Sequence, residues 1–345
     1  MNKVKDFYKK ISEQIVLFAI IIVIIIAMGI ASPYFLSVRN AMNIVQYVST
    51  YGIIAIGMTM VILTGGINLS VGGTLALSVY VAAKCMLSGI PWPIAIFACL
   101  LVGGLVGIVN GFAVAGLKIP PLIATLAVEQ ITRGVHLGLA QGAPLHGFPE
   151  SFLDIGAGEL MGIPMAVIWT VGLFLFFGFF LAKTKTGRLI YAVGGNAEAT
   201  RIAGINNKRL IMLVYILAGL LCSIAGIIVV GRMNSVAVSI AQGIDMQAIT
   251  ACVLGGASVT IGGKGKVSGT FLGILIMGLI QNSLDLLNVS AYWQTFIQGL
   301  ILLMAVSLDA IRTIRASGTY KKKIVKRRSR KDGQNDESTE DVRAI

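Results

Sequence analysis

The chain has little charge for its length. Asp, Glu, Lys and Arg make up 12% of its 345 residues, whereas 56% are hydrophobic and the mean hydropathy is +0.86. A soluble domain normally carries about 25% charged residues. Half that share cannot cover a water-facing surface of this size. The composition therefore excludes a soluble globular protein and predicts an all-α, polytopic membrane protein.

Residues that carry catalytic and metal chemistry are also scarce. The two histidines, His136 and His146, lack metal-ligand spacing, and the four cysteines lie in apolar runs without a CxxC pair. The nearest approach to a Walker A loop, IGGKGKVSG at 261–269, has no Ser or Thr directly after either lysine. Neither HExxH nor GxSxG occurs. We therefore expect no catalytic residue, no metal site and no cofactor held by the chain itself.

Ten apolar runs are long enough, or nearly long enough, to cross a bilayer. They fall at about 14–32, 43–63, 70–88, 93–115, 120–140, 164–182, 209–230, 246–262, 267–287 and 292–310. The third and eighth runs are rich in glycine, which predicts short or broken helices. The fifth run carries Glu129, Arg133 and His136 and is the weakest in hydropathy.

The distribution of positive charge predicts the orientation of these spans. With the N-terminus inside, 24 of the 28 Lys and Arg residues lie on the inner side. Four precede the first span, one follows the fourth, six follow the sixth, two follow the eighth and eleven lie in the C-terminal tail. Cytoplasmic loops are enriched in these residues, so both termini are predicted to be cytoplasmic.

Three regions follow from this topology. Residues 1–13 form a cytoplasmic N-terminus, residues 14–312 a transmembrane domain with a cytoplasmic loop at 183–208, and residues 313–345 a basic cytoplasmic tail that we expect to be disordered. The first apolar run is long, and we interpret it as a retained helix rather than a signal peptide. No soluble domain accompanies the basic tail, so nucleic acid is not an expected partner. The acidic outer loop at 141–164 either contacts a soluble partner or is an ordinary connection.

Two glycine-rich stretches interrupt the spans. TGGINLSVGG at 64–73 joins spans 2 and 3, and VLGGASVTIGGKGKVSGTFLG at 253–273 joins spans 8 and 9. Irregular backbone at membrane depth lines substrate paths in transporters, but glycines also serve tight turns between packed helices. The candidate pathway residues are Thr64, Gly65, Gly66, Asn68, Ser70, Gly255, Gly256 and Ser258. The loose similarity of the two stretches hints at an internal duplication of spans 2–5 and 7–10. The predicted topology would make such a repeat inverted, and the two stretches would then not be strictly equivalent positions.

Glu129 and Arg133 lie four residues apart in span 5 and place opposite charges on one helical face. Burying charge in a membrane is costly, so such residues are either functional or form an internal ion pair that orients the helix. Asp285 and Asp309 lie near helix ends, where we expect them to be solvated. One Glu and one His are weak support for a proton-coupled carrier.

A polar segment, TKTGRLIYAVGGNAEATRIAGINNKR at 184–209, separates spans 6 and 7 on the predicted cytoplasmic side. Asn196 is placed to cap a short helix, Glu198 lies in its first turn, and Gly204 is placed to end it. A short capped helix between two spans predicts a docking element for another protein.

Several blocks of the chain, taken in order, resemble the permease subunit of ABC sugar importers, in the ribose, xylose and galactose branch that includes autoinducer-2 permeases. The resemblance covers about residues 15–312. The blocks that carry it are NAMNIVQYVSTYGIIAIGMTMVILTGGINLSVGG, PPLIATLAVEQITRGV, TGRLIYAVGGNAEATRIAGIN, AGLLCSIAGII and AITACVLGGASVTIGGKGKVSGTFLG.

The resemblance implies roles for individual residues. The family's EAAxxxG loop, the coupling helix that docks on the ATPase, is matched by Glu198, Ala199 and Gly204, with Thr200 in place of the second alanine. The coupling residues are then Gly187, Arg188, Gly194, Gly195, Asn196, Glu198, Ala199 and Gly204. Asn68 stands where the family motif GGIDLSVG has aspartate, which removes a charge from the candidate pathway.

The resemblance also implies an assembly. Two permease copies, as a homodimer or with a paralogue, would span the bacterial inner membrane. Two ABC ATPase subunits would hold ATP and Mg²⁺ on the inside, and a sugar-binding protein would deliver the substrate on the outside. The chain would be a transport subunit rather than an enzyme, coupled through residues 184–209 and translocating a monosaccharide such as a ribose-like pentose. Nucleosides or branched-chain amino acids are alternative substrates, and a secondary carrier or a membrane scaffold are alternative functions.

Overall fold

A computed structural model describes the backbone of residues 2–314 and the side chains of residues 14–314. Within this range the chain forms thirteen α-helices and four short strands. The helices are α1 (Asn2–Ala31), α2 (Val38–Leu63), α3 (Val71–Leu87), α4 (Trp92–Gly111, extended by a π-helical turn at Phe112–Gly116), α5 (Pro121–Ala140), α6 (Glu150–Ala157), α7 (Met165–Lys183), α8 (Lys185–Gly195), α9 (Ala197–Ile202), α10 (Asn207–Met233), α11 (Ile244–Leu254), α12 (Val267–Leu286) and α13 (Ala291–Ile314). The strands are β1 (Leu145–His146), β2 (Glu159–Leu160), β3 (Ile163–Pro164) and β4 (Ser235–Val236). The predicted basic tail lies outside the described residues from 315 onward.

Seven of the helices described are long and apolar enough to cross a membrane. They are α1, α2, α4 with its π-helical turn, α7, α10, α12 and α13. The other three predicted spans correspond to α3 with 17 residues, α5 with 20 and α11 with 11. The structure is therefore all-α and polytopic, as predicted, and α3 and α11 are the short helices that their glycines led us to expect.

The predicted extent of span 8, residues 246–262, was wrong. α11 ends at Leu254 because Gly255 and Gly256 turn the chain, and Gly256 has a left-handed φ of +87°. An 11-residue helix rises only about 17 Å, roughly half of a bilayer's hydrocarbon core. Residues 255–266 then form an irregular loop before α12 begins.

α2 and α10 form the centre of the bundle. Of the apolar 18-residue stretch in each, 72% of the residues are buried, compared with 11% in α1 and 6% in α13. Small residues let the central backbones approach closely, as in other membrane bundles. Gly57 of α2 lies against the backbone of Ala218 of α10, and Gly103 and Gly107 of α4 face the α10 backbone. All four cysteines are free and pack in or against this apolar interior.

The packing fits an inverted repeat, but the two glycine-rich stretches are not its matching parts. α2 packs on α11 and α12, while α10 packs on α3 and α4. The first helix of each repeat thus packs on the second and third helices of the other, as such a repeat predicts. Residues 64–70 precede the half-helix α3, whereas residues 255–266 follow the half-helix α11. The segment that precedes α11 contacts the start of α3, because Gly72 lies against the backbone of Ala241.

The acidic outer loop is folded onto the end of α10. β1 pairs antiparallel with β4, with Leu145 opposite Val236, and the side-chain oxygen of Asn234 accepts a hydrogen bond from Phe148 N at 3.1 Å. α6 packs on α10 where Gly156 meets Gly231. The hairpin of β2 and β3 leaves its tip, including Met161, in solvent.

Candidate coupling and translocation site

α8 is joined to α7 by a sharp corner at Thr184. The Thr184 backbone is extended, and its hydroxyl oxygen accepts a hydrogen bond from Gly187 N at 3.0 Å, which caps α8. Gly187 lies against the backbone of Leu181, so a larger residue there would push the two helices apart. Arg188 donates a hydrogen bond to the Lys183 carbonyl at 3.1 Å, at the C-terminus of α7. Gly187 and Arg188 therefore set the angle at which α8 leaves the membrane domain.

α9 is the short capped helix that the sequence pattern predicts. The side-chain oxygen of Asn196 accepts a hydrogen bond from Ala199 N at 2.9 Å. The helix ends at Ile202, and Gly204 follows with a left-handed φ of +78°. In the closing turn, Ile205 N donates to the Thr200 carbonyl at 3.0 Å. Local signals at both ends thus fix the position of this helix in the chain.

The surface of α9 faces solvent and combines charge with an apolar side chain. Glu198 and Arg201 form an exposed ion pair at 2.6 Å, and the hydrogen bonds from Arg201 lower the pKa of Glu198. The carboxylate therefore stays ionised at neutral pH. Ile202, beside this pair, is 75% exposed. Ala199 is also exposed, so α9 presents a small mixed surface that no described part of the chain covers.

Sequence reasoning missed how α9 is attached to α10. Thr200 is the one buried residue of α9, and its hydroxyl donates to the side-chain oxygen of Asn207 at 3.0 Å. The side-chain nitrogen of Asn207 donates to the Ala197 carbonyl at 2.7 Å. The threonine that departs from the EAAxxxG pattern therefore helps to fix α9 on the start of α10. An alanine could not make this hydrogen bond, and no local pattern signals a partner seven residues away.

Gly194 brings α8 into contact with both glycine-rich stretches. A Cβ atom on Gly194 would collide with the Leu63 carbonyl oxygen at the end of α2, and it would lie 2.6 Å from the Gly263 backbone nitrogen. Gly263 N donates to the same Leu63 carbonyl at 2.9 Å. Gly262 lies against both Gly194 and Gly65. Backbone meets backbone here, which only residues without a side chain allow.

The remaining contacts of α8 strengthen this junction. The Tyr191 hydroxyl donates to the Gly265 carbonyl at 3.1 Å. A Cβ atom added to Gly195, the residue after Gly194, would have no atom within 4 Å. The predicted coupling residues Gly194 and Gly195 therefore differ in surroundings, since only the first is enclosed by the membrane domain. We name the contact of Gly194 with Leu63 and Gly263 the glycine junction.

The first candidate pathway stretch is mostly closed. Gly65 is exposed and Thr64 is half-buried, but Gly66 lies under the Tyr215 hydroxyl, 2.8 Å from where its Cβ would be. Asn68 is only 2% exposed, and its side-chain oxygen accepts hydrogen bonds from Ser70 N at 3.1 Å and Ser70 Oγ at 2.8 Å. Asn68 thus forms a turn that begins α3, and it does not face an open channel in this structure.

Polar groups missed by sequence reasoning lie beside this stretch. Asn110 of α4 donates a hydrogen bond to the Ser70 hydroxyl at 2.7 Å. The side-chain oxygen of Asn110 and the hydroxyl of Tyr215 are buried, and neither has a hydrogen-bond partner among the side chains described. A buried polar group without a partner is unfavourable, so these two atoms are candidates for contact with water or a polar ligand.

Glu129 and Arg133 lie at the meeting point of the two half-helices. Their side chains form an ion pair at 3.2 Å and are 16% and 15% exposed. Glu129 accepts a hydrogen bond from Gly73 N at 2.5 Å, in the first turn of α3. Arg133 donates to the carbonyls of Ile240 at 2.7 Å and Ala241 at 3.3 Å, just before α11. The pair therefore connects α3 to the segment that leads into α11.

The second candidate stretch is anchored by an aspartate. Gly255 lies against the backbone of Gly269 in α12, and Gly256 is exposed. The buried Ser258 donates a hydrogen bond to Asp309 Oδ2 at 2.9 Å, and the Thr260 hydroxyl lies 3.1 Å from the same oxygen. Asp309, which we expected to be solvated at a helix end, is half-buried, and its carboxylate also holds the 255–266 loop.

Comparison with known families gives a match over most of the chain. Residues 40–306 match the family model described as the permease component of the branched-chain amino acid transport system. This range includes nearly all of α2, all of α3 to α12 and most of α13, and with them every predicted coupling and pathway residue.

Individual relatives are similar over a comparable length. The ribose import permease protein RbsC of Escherichia coli (strain K12) is 42% identical over 302 residues, which is 86% of this chain and 93% of that protein. RbsC of Bacillus subtilis (strain 168) is 39% identical over 83% of this chain and 89% of its own length. The L-arabinose transport system permease protein AraH of E. coli (strain K12) is 39% identical over 88% of this chain and 92% of its own length. No solved structure matches the chain.

Proposed function

Because the chain belongs to the family of branched-chain amino acid transport system permease components, we propose that it is the membrane subunit of an ATP-driven importer and that it translocates a monosaccharide. It is a transport component rather than an enzyme, and a multi-pass protein of the inner membrane. The observation that carries the choice of substrate is the similarity over most of the chain to permeases named for ribose, L-arabinose and D-allose.

The partners follow from the family and from the surfaces of the chain. An ABC ATPase on the cytoplasmic side holds ATP and Mg²⁺ and docks on α9, and a sugar-binding protein delivers substrate on the opposite side. A second permease copy, identical or a paralogue, completes the membrane unit. The uncovered mixed surface of Glu198, Arg201 and Ile202 supports docking at α9, because interfaces combine charged rims with apolar anchors.

Coupling runs from α9 through α8 to the membrane helices. When the ATPases close on ATP, they displace α9, and α8 moves with it. The glycine junction transmits this motion to the end of α2 at Leu63 and to the loop before α12 at Gly263. Because the backbone atoms at this contact are closely packed, α8 and the membrane helices move together there. The contact therefore acts as a rigid joint when the helices switch from one arrangement to another. The candidate pathway residues Thr64 to Ser70 directly follow this joint.

Glu198→Lys and Gly204→Pro are expected to abolish uptake by weakening ATPase association, while the permease stays in the membrane. Lysine at 198 would repel Arg201 and change the charge of the docking surface from neutral to positive. Proline cannot adopt the φ of +78° at Gly204. We expect the ATPase recovered with the affinity-purified permease to fall roughly tenfold or more, as at interface hot spots.

Glu150→Lys is the matched control, since it makes the same charge change on an exposed residue of α6 on the predicted outer side. It should leave ATPase recovery unchanged. Normal ATPase recovery with Glu198→Lys would refute docking at α9.

Branched-chain amino acids are the second candidate substrate, because the matched family carries that description. The monosaccharide is favoured because the relatives named for sugars are 36–42% identical over 83–88% of the chain. ATP-driven uptake of ribose and of leucine, measured side by side, separates the two substrates.

A further inference from the structure

A run of carboxamides joins three helices near their predicted outer ends. We name it the outer amide cluster: Gln247 of α11, Gln281 and Asp285 of α12, and Gln294 and Gln298 of α13. Gln247 Nε2 donates to Gln298 Oε1 at 3.1 Å, and Gln298 Nε2 donates to Gln281 Oε1 at 2.6 Å. Gln281 Nε2 donates to Gln294 Oε1 at 2.6 Å. Gln294 Nε2 ends the run on Asp285 Oδ1 at 2.9 Å.

Two stacked tyrosines of α2 adjoin this cluster. The rings of Tyr47 and Tyr51 lie 4.1 Å apart between centroids, at an interplanar angle of 23°. The Tyr47 hydroxyl donates to Gln247 Oε1 at 2.9 Å, which joins the aromatic pair to the amides. Both tyrosines are half-buried. An aromatic surface therefore lies next to a row of hydrogen-bonding groups.

The cluster differs from a purely structural amide contact nearby. Asn40 and Asn282 exchange two side-chain hydrogen bonds, at 2.9 and 2.7 Å, and both are buried. In the cluster, the four glutamines are half-buried and Asp285 is exposed. Gln247 and Gln298 each keep one side-chain N–H without an acceptor among the residues described. The cluster thus has spare donors on side chains that are partly exposed.

We propose that the outer amide cluster and the Tyr47–Tyr51 pair form a contact site for a monosaccharide on its way into the membrane domain. This inference rests on the proposed function and adds the place of substrate contact. Sugars carry dense hydroxyl groups that both donate and accept, which carboxamides and a carboxylate match. They also present C–H faces that pack on aromatic rings. Small-molecule sites usually combine an apolar wall with a few polar groups.

The position of the site links it to coupling. Tyr47 and Tyr51 lie on α2, whose other end is the glycine junction at Leu63. Gln281 lies on α12, which begins just after the 255–266 loop at that same junction. Motion of α8 therefore reaches both walls of the site through continuous helices, which allows sugar contact to change with nucleotide state.

Protection of an introduced cysteine by sugar tests the site directly. Gln298→Cys and, as a second position, Gln247→Cys are made in a Cys85→Ala background, since the other three native cysteines are buried. The permease with its ATPase is placed in nanodiscs and labelled with a methanethiosulfonate reagent, with and without ribose. At ribose about ten times above its Kd, we expect labelling to slow roughly tenfold. Ser151→Cys, at an exposed position of α6 in the predicted outer loop, should be labelled equally in both cases.

The outcomes separate this inference from the proposed function. Protection at 298 or 247 but not at 151 supports the site, and leucine should give none. Equal labelling at both cluster positions with ribose, arabinose and allose would overturn it, provided the wild-type complex imports one of these sugars with ATP. If the wild-type complex imports none of them, the proposed substrate class fails and the sugar site fails with it. Because protection is a ratio within one variant, poor folding of that variant cannot imitate it.

Discussion

Gly194→Ala should abolish ATP-driven uptake, although it adds a single methyl group. The new Cβ would overlap the Leu63 carbonyl oxygen and crowd the Gly263 nitrogen, and both are backbone atoms that cannot rotate away. Overpacking in a closed core costs about 1–3 kcal/mol and forces the backbone to shift. α8 would then separate from the end of α2, and the displacement of α9 would no longer reach the membrane helices.

Gly195→Ala is the matched control for this change. It makes the same substitution one residue later in the same helix, where nothing lies within 4 Å of the added Cβ. Both variants are compared for ATP-driven ribose uptake and for ATPase recovery in purified complexes. We expect Gly194→Ala to retain the ATPase on its intact α9 but lose uptake, and Gly195→Ala to behave as wild type. Equal uptake by the two variants would show that the glycine junction does not transmit the motion.

Arg133→Met should be the most destabilising substitution of a charged residue in the membrane domain. It leaves Glu129 without its cation and removes the hydrogen bonds to the carbonyls of Ile240 and Ala241. Removal of one member of a buried ion pair costs about 3–5 kcal/mol, because the other charge stays buried. Since this pair retains some exposure, we expect a loss near the lower figure. The melting temperature of the purified protein in detergent measures it.

Two further variants show whether the uncompensated charge is the cause. In Glu129→Met/Arg133→Met the buried charge is absent, so the melting temperature should recover part of the loss. Arg201→Met breaks the exposed pair with Glu198 and should leave the melting temperature unchanged. If the double variant melts no higher than Arg133→Met, the destabilisation arises from the lost contacts with the carbonyls rather than from the charge of Glu129.

Features that depend on neighbours in the chain were predictable from sequence. The cap at Asn196 and the left-handed Gly204 use residues within one short helix, and both are present. The spacing of Glu129 and Arg133 placed them on one face, where they contact each other. The apolar runs identified the helices because a bilayer requires a definite length.

Features that depend on distant partners were not predictable. Gly194 and Gly195 look equivalent in the sequence, and only the meeting of Leu63 and Gly263 around the first separates them. Asp309 looked like a solvated helix end until the loop at Ser258 folded onto it. The end of α11 at Leu254 could not be predicted from hydropathy, because apolar residues continue past the turn at Gly255. Hydropathy measures composition, whereas these features depend on tertiary contacts.

Ribose accumulation in proteoliposomes tests the central claim, that a partner ATPase drives this chain to import a sugar. The purified permease is reconstituted with and without its ATPase, and the binding protein carrying ribose is added on the extracytoplasmic side. We expect accumulation only when the ATPase and Mg-ATP are both present, and none with leucine in place of ribose. Accumulation without the ATPase, driven by a proton or sodium gradient, would contradict the claim. So would ATP-driven accumulation of leucine but not ribose.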